Sequence, residues 1–190
     1  WMIQGVNKLD ALTRMLETET YDGVIIFART KNATVELAEK LEARGYSASA
    51  INGDMNQQLR ERTIERLKNG DLDILVATDV AARGLDIAGV DLVINFDMPR
   101  SGDEHVHRIG RTGRAGREGE AVSLVCVDEL KLLKDIERLI KREIPSRVIE
   151  GFLPDPSIRA EPIKQGRPQN NNRPKKRFGG NGKGSSAKYN

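Results

Sequence analysis

The stretch Val24-Ile25-Ile26-Phe27 is a run of four apolar residues, and it decides the fold class. A short, wholly apolar run is typical of a strand that is buried on both faces. Residues 31–44 follow with apolar side chains on one helical face, and this pattern ends at Gly45. Residues 46–51 are again strand-like. Together these segments predict a strand–helix–strand unit with parallel strands.

The same alternation continues on both sides of this unit. Leu9, Leu12, Met15 and Leu16 fall at helical spacing before it. After it we predict helices at 57–68, 102–109 and 128–143, and strands at 73–77, 91–96 and 121–127. Strands that alternate with helices in this way predict an α/β domain with a mainly parallel sheet.

Polar side chains follow the predicted strands at the points where the strands end. These clusters are Arg29-Thr30, Asn52-Gly53-Asp54, Thr78-Asp79 and Arg83-Gly84-Leu85-Asp86. Ligands of open parallel sheets bind beyond the carboxyl ends of the strands. We therefore predict a binding site at this edge of the sheet.

A second signal is the stretch His107-Arg108-Ile109-Gly110-Arg111-Thr112-Gly113-Arg114-Ala115-Gly116-Arg117, in which arginine recurs at every third position. Arginines at this density repel one another, and phosphate fits the guanidinium fork well. Collagen is excluded because the repeat is short and contains no proline. A solvated basic loop and a short disordered arginine- and glycine-rich segment stay open as alternatives to a phosphate or nucleic-acid site.

Charge is distributed unevenly along the chain. Residues 1–163 hold 23 Lys and Arg against 28 Asp and Glu, whereas residues 164–190 hold eight basic residues and no acidic one. We expect residues 164–190 to be disordered and to act either as a nonspecific nucleic-acid arm or as a solubilising tail. The prolines of residues 151–163 predict an extended strap.

Cysteine and hydropathy exclude several classes of protein. Cys126 is the single cysteine, so the chain has no internal disulfide and no multi-cysteine metal site, and we expect a buried thiol. His105 and His107 lack a third ligand nearby, so we predict no metal site. No segment is apolar enough to span a membrane and no signal peptide is visible, so we expect a cytoplasmic protein.

Four segments match motifs of one enzyme family in the family's order. Residues 26–30 look like motif IV, 57–60 like the QxxR motif, 77–86 like motif V with its extension, and 107–114 like motif VI. On these motifs, residues 1–150 resemble the C-terminal RecA-like domain of DEAD-box RNA helicases of superfamily 2. The resemblance implies a three-layer α/β domain with a mainly parallel sheet flanked by helices.

The resemblance has finer features as well. Residues 124–144, which contain the last predicted helix, and residues 151–158 resemble bacterial members of the RhlE type. Residues 1–6 match an interdomain linker. Asn52 and His105 depart mildly from the family pattern, since they stand where the family often has His and Tyr.

The resemblance implies a role for individual residues. Arg111 and Arg114 match the arginine fingers that act on the nucleotide, and Gly84 and Asp86 match the segment that holds it. The positions that match RNA-facing residues are Arg29, Thr30, Gly53, Arg60, Thr78 and Asp79. The positions that match couplers between the two sites are Gln57, Arg83, His107 and Arg108.

The residues themselves leave structural alternatives open. Arg83 and Asp86 could form a pair three residues apart that stabilises their loop. Asp79 could be the N-cap of the turn that follows it. Gln57 and Arg60 could be solvated helix positions, and the two histidines could be ordinary packed or exposed side chains.

Two motifs of such an enzyme are absent from the sequence. It contains no Gly-x-x-x-x-Gly-Lys-Ser/Thr and no Asp-Glu-Ala-Asp. In the family these belong to an N-terminal RecA-like domain, which also holds most of the Mg²⁺ ligands. We therefore expect a helicase half that uses ATP with Mg²⁺, binds a single RNA strand through its backbone, and is inactive alone. A stand-alone RNA-binding or regulatory module is the alternative.

Overall fold

A computed structural model describes residues 8–18, 21–85, 87, 89–113 and 118–147. The elements are α1 (Lys8–Thr18), β1 (Val24–Phe27), α2 (Lys31–Glu42), β2 (Ala48–Ile51), α3 (Gln57–Lys68), β3 (Ile74–Ala77), α4 (Asp79–Ala82), β4 (Leu92–Asn95), α5 (Gly102–Ile109), β5 (Glu120–Ser123), a 3₁₀ helix (Val127–Glu129) and α6 (Leu130–Ile140).

The five strands form one sheet in the order β2-β3-β1-β4-β5. Every neighbouring pair is parallel, and Val24 of the central β1 is in register with Ile74 on one side and Leu92 on the other. All residues of β1, β3 and β4 are buried, as their continuous apolar sequences predict. The predicted parallel α/β sheet is confirmed.

Helices cover both faces of the sheet, which gives three layers. Alternate side chains of β1 point to opposite faces, so Ile26 packs with α1 and α2, whereas Ile25 packs with α3. A smaller apolar cluster lies under α6 and contains Met98, Val125 and Ile136. The three-layer RecA-like architecture expected from the resemblance is therefore confirmed.

The segment between β5 and α6 differs from its prediction. The predicted strand over 121–127 ends at Ser123, and the predicted helix over 128–143 spans only Leu130–Ile140. The chain turns because the side chain of Glu129 accepts hydrogen bonds from the backbone N–H groups of Met98 and Cys126, which fixes the 3₁₀ helix. Lys141 then adopts a left-handed conformation, with φ of 53°, and ends α6.

Cys126 is buried, as predicted, with an exposed fraction of 5%. Burial disfavours the thiolate and raises the pKa of this thiol to about 11. Within the described ranges, no helix combines the length and the apolar character needed to cross a membrane.

Candidate functional site at the carboxyl edge of the sheet

The strand order itself creates a crevice at the carboxyl edge. After β1 the chain crosses to β2 on one side of the sheet, whereas after β4 it continues to β5 on the other side. Connections that leave in opposite directions from neighbouring strands open a crevice between the strand ends, where ligands of such folds bind. The polar clusters predicted from the sequence lie at this edge.

Arg108 is the best-anchored side chain at this crevice. Its exposed fraction is only 3%. Its Nε and Nη2 each donate a hydrogen bond of 2.7 Å to a different carboxylate oxygen of Asp79. Its Nη1 donates to Asn95 Oδ1 at 3.0 Å and to the carbonyl oxygen of Asp97 at 2.7 Å. The guanidinium also lies 5.0 Å from the ring centroid of Phe27. Arg108 thus ties together the ends of β1, β3 and β4.

Several of the predicted site residues meet in one cleft around this pair. The residues that line the cleft are Phe27, Asp79, Ala82, Arg83, Glu104, His107, Arg108 and Arg111. Three arginines therefore share a small space with two carboxylates, at the crevice where an anionic ligand of a parallel sheet would bind.

Arg111 connects the arginine stretch to the predicted nucleotide segment. Its Nη1 donates to the carbonyl oxygen of Leu85 at 3.2 Å, and its own carbonyl accepts from the N–H of Gly89 at 3.1 Å. The adjacent Gly84 has a φ of +77°, a conformation that favours glycine. Thr112 Oγ1 donates to the carbonyl of Val90 at 2.5 Å, which holds this loop against the chain before β4. Arg111 and Gly84 are therefore brought close together.

Asp86 and Arg114, two further residues predicted to contact the nucleotide, lie outside the described residues. The alternative of a loop-stabilising pair between Arg83 and Asp86 is not tested, because it involves Asp86. Arg83 itself is exposed and lines the cleft.

Arg29, just after β1, is held by two acidic residues. Its backbone N–H donates to Asp97 Oδ2 at 2.8 Å, and its Nη2 lies 3.3 Å from Glu129 Oε1. Its side chain is 25% exposed, and its Nε has no hydrogen-bond partner in the part of the chain that the structure describes. No sequence pattern links Glu129 to Arg29, because the two residues are 100 positions apart.

Two threonines predicted to face RNA also cap helices. Thr30 Oγ1 accepts from the N–H of Ala33 at 3.1 Å, and Thr78 Oγ1 accepts from the N–H of Ala81 at 3.3 Å. The N-cap of α4 is therefore Thr78, and the interpretation of Asp79 as that cap is wrong. Asp79 is the first residue of α4, and its carboxylate accepts hydrogen bonds from Arg108.

Gly53 lies against the side chain of Lys31, which was not among the predicted site residues. A Cβ atom at Gly53 would stand 3.3 Å from Cε of Lys31, whose amino group pairs with Asp54. Asn52 is buried, and its Oδ1 accepts from the N–H of Asp54 at 3.1 Å, which fixes the turn. Lys31 could have been noticed because it directly follows the polar pair after β1.

The two predicted positions on α3 differ in their surroundings. Gln57 is exposed and donates to Glu61 at 2.8 Å, as a solvated helix position would. Arg60 is partly buried, and among the described residues its Nε has no hydrogen-bond partner. Gln57 and Arg60 lie away from the cleft around Arg108.

The two histidines also have different environments. His107 is exposed and lines the cleft, whereas His105 is buried on α5. Burial and the charge of Arg108 lower the pKa of His105, so it is neutral at pH 7. No group of three or more His, Cys, Asp or Glu residues within the described ranges could hold a metal ion.

Comparison with known proteins identifies relatives for most of the described chain. Residues 7–116 match the family described as "Helicase conserved C-terminal domain". The chain is 59% identical over 145 residues to the ATP-dependent RNA helicase DeaD of Escherichia coli (strain K12), and these residues are 76% of the chain and 23% of that protein. It is 53% identical over 154 residues to the ATP-dependent RNA helicase DeaD of Haemophilus influenzae. The matched residues are 78% of the chain and 25% of that protein. The chain thus spans about a quarter of the length of these curated relatives.

Solved structures show the same fold. The E. coli DEAD-box protein SrmB, bound to regulator of ribonuclease activity A, matches with a TM-score of 0.77 and 42% identity over 84% of this chain and 94% of that one. A DEAD box protein from the hyperthermophile Methanococcus jannaschii matches with a TM-score of 0.70 and 39% identity over 75% of this chain and 39% of that one.

Proposed function

We propose that this chain, which belongs to the helicase conserved C-terminal domain family and is a DEAD-box C-terminal domain, is the C-terminal half of an ATP-dependent RNA helicase. In this proposal it supplies arginine fingers for ATP hydrolysis and part of a groove that binds the RNA backbone. The observation that carries the proposal is the cleft that Asp79, Arg83, His107, Arg108 and Arg111 share.

The nucleotide site is assigned to Arg111, Arg114, Gly84 and Asp86. The hydrogen bond from Arg111 to Leu85 fits this assignment, because it brings a cation beside the segment that would hold the ribose. Hydrolysis of ATP places negative charge on the β–γ bridge and γ oxygens. A preorganised guanidinium at those oxygens raises the rate on the order of 10³–10⁵-fold.

The remaining parts of the ATP site are assigned to an N-terminal RecA-like domain. A P-loop and the carboxylates that bind Mg²⁺ are absent from this sequence, and the described residues offer no acidic cluster for a metal. An active site therefore forms when the two domains close. Closure brings the fingers to phosphates that the other domain holds.

The RNA site is assigned to Arg29, Thr30, Gly53, Arg60, Thr78 and Asp79. The threonines stand at helix N-termini, where backbone N–H groups favour phosphate. Such contacts hold a single strand by its phosphates and 2′-hydroxyl groups without reading its bases. Bending of the held strand would then separate a short duplex locally.

The coupling role is assigned to Gln57, Arg83, His107 and Arg108. Support is strongest for Arg108. Its partner Asp79 belongs to the proposed RNA site, and Arg111 of the nucleotide site follows three residues later in the chain and lines the same cleft. A shift of Asp79 on RNA binding would thus be transmitted to the arginine fingers.

The domain division of the sequence analysis belongs to the same proposal. In this proposal residues 1–150 are the helicase domain. The linker at 1–6, the strap at 151–163 and the auxiliary RNA arm at 164–190 lie outside the described residues. The RhlE-type subtype and a cytoplasmic location also stay predictions. The relatives are named DeaD, so they support the family and leave the RhlE-type subtype as a hypothesis.

A stand-alone RNA-binding module needs no arginine fingers, and the relatives named as ATP-dependent helicases favour the enzyme half. Mixing the chain with a separately made N-terminal domain and measuring RNA-stimulated ATP turnover tests this. Arg111→Ala and Arg114→Ala should each lower turnover on the order of 10³-fold. Arg138→Ala, which removes an exposed guanidinium from α6, is the matched control and should leave turnover unchanged. Unchanged turnover in both finger variants would reject the proposal.

A further inference from the structure

Glu129 is a buried carboxylate to which the proposed function gives no role. Its exposed fraction is 3%, and it accepts hydrogen bonds from four donors in four separate segments. The donors are Lys8 Nζ at 2.6 Å, Arg29 Nη2 at 3.3 Å, and the backbone N–H groups of Met98 at 3.1 Å and Cys126 at 3.2 Å. A carboxylate is tolerated in such a place only because cations and donors surround it. These five residues form what we call the Glu129 cluster.

Lys8 alone could satisfy the charge of this carboxylate. Its amino group is 2.6 Å from Glu129 Oε2, donates to the carbonyl oxygen of Phe96 at 2.6 Å, and lies 5.6 Å from the centroid of the Phe96 ring. Its side chain is only 11% exposed, so Lys8 is committed to the interior. The two backbone donors complete the bonding of the carboxylate. Structural stability therefore does not require Arg29 as a second cation.

Arg29 differs from Lys8 because it remains accessible from the carboxyl edge. Its side chain is 25% exposed, and its backbone is fixed separately by Asp97. The bond from Nη2 to Glu129 anchors one nitrogen of the guanidinium, which has five N–H donors in a rigid fork. Anchoring that nitrogen sets the direction in which the rest of the fork points.

We propose that Glu129 is a positioning residue that orients Arg29 for a phosphate of the bound RNA strand. This inference rests on the proposed function, since it takes the carboxyl edge as the RNA site. Arginine loses much rotamer freedom when it binds a ligand, and an anchor present before binding lowers that loss. The net charge of Lys8, Arg29 and Glu129 together is positive, so the anchor leaves the site attractive to phosphate.

The test measures the affinity of the full 190-residue chain for a fluorescein-labelled decauridine by anisotropy, with thermal unfolding of every variant. Arg29→Ala and Glu129→Gln should each weaken binding about threefold to tenfold, as expected for the loss or disordering of one phosphate contact. Introduced into the Arg29→Ala chain, Glu129→Gln should cause no further loss, because the residue that it orients is already gone.

Two control variants separate positioning from general stability. Ile74→Val removes a buried methylene at the start of β3, at the opposite edge of the sheet, so it should lower the unfolding temperature while RNA affinity stays within twofold of the unmodified chain. Glu120→Gln makes the same chemical change at an exposed position of β5 and should alter neither quantity. If Glu129→Gln does not fold, Glu129→Asp keeps the charge and draws the carboxylate back from Arg29, and it should weaken RNA binding about twofold to fivefold.

The inference is overturned if the folded Glu129 variant binds RNA as tightly as the unmodified chain. It is also overturned if the loss persists in full in the Arg29→Ala background. If Arg29→Ala has no effect but Arg60→Ala weakens binding, the RNA site survives and only the role of Glu129 is lost. If neither arginine matters, the proposed RNA site at this edge fails as well.

Discussion

Asp79→Asn should destabilise the domain by removing the countercharge of a buried arginine. Arg108 is 3% exposed and makes two bonds of 2.7 Å to Asp79. Breaking a buried pair from one side costs about 3–5 kcal/mol, and we expect about 3 kcal/mol because Asp79 is itself 25% exposed and the amide keeps one acceptor. For a domain of this size, that loss lowers the unfolding temperature by about 6–12 °C.

Urea unfolding followed by circular dichroism at pH 7 measures this loss directly. Asp73→Asn is the matched control, because Asp73 is an exposed acid just before β3 and its replacement should change stability by less than about 0.5 kcal/mol. The midpoint of Asp79→Asn should fall with an unchanged slope. If Asp79→Asn unfolds at the same urea concentration as Asp73→Asn, the pair does not hold the ends of β1, β3 and β4 together.

Three further predictions concern other parts of the chain. Because burial raises the pKa of the Cys126 thiol to about 11, its reaction with a disulfide reagent at pH 8 should be at least about 100-fold slower in the folded protein than in urea, and equal rates would contradict its burial. The pKa of His105 is lowered in the folded state by burial and by Arg108. As the pH drops below 6.5, the ordinary pKa of histidine, the unfolded chain therefore takes up this proton first and the free energy of unfolding should fall. His105→Gln should flatten this fall between pH 7 and 5.5, and an unchanged pH profile would refute the prediction. Deletion of residues 164–190 should weaken RNA affinity and flatten its dependence on salt, whereas an unchanged salt slope would make the tail only a solubiliser.

Local patterns were sufficient to predict the sheet and the gathering of polar residues at its carboxyl edge. The apolar runs of β1, β3 and β4 occupy its centre, because only strands covered on both faces need such sequences. The predicted edge position of Arg29, Asp79 and Arg83 follows from the rule that segments after parallel strands meet at one edge, whereas His107 and Arg108 reach the cleft from α5.

Contacts between distant segments could not be predicted in this way. Glu129 lies 121 residues from Lys8 and 100 from Arg29, so no periodicity links them. The same contacts turn the chain at Cys126 and delay the start of α6, which explains the errors in that segment. Likewise, the evenly spaced arginines look equivalent in sequence, and only burial against Asn95 and Asp79 makes Arg108 structural.

In the proposed function, Arg111 meets phosphates that a second domain holds. Sedimentation velocity of the chain mixed with a separately made N-terminal domain, ADP, aluminium fluoride and decauridine tests this most directly, because the fluoride complex mimics the phosphoryl group in transfer. We predict a one-to-one complex with the unmodified chain and about 100-fold weaker assembly with Arg111→Ala. Equally tight assembly of Arg111→Ala, under conditions where the fluoride complex is required, would contradict the claim.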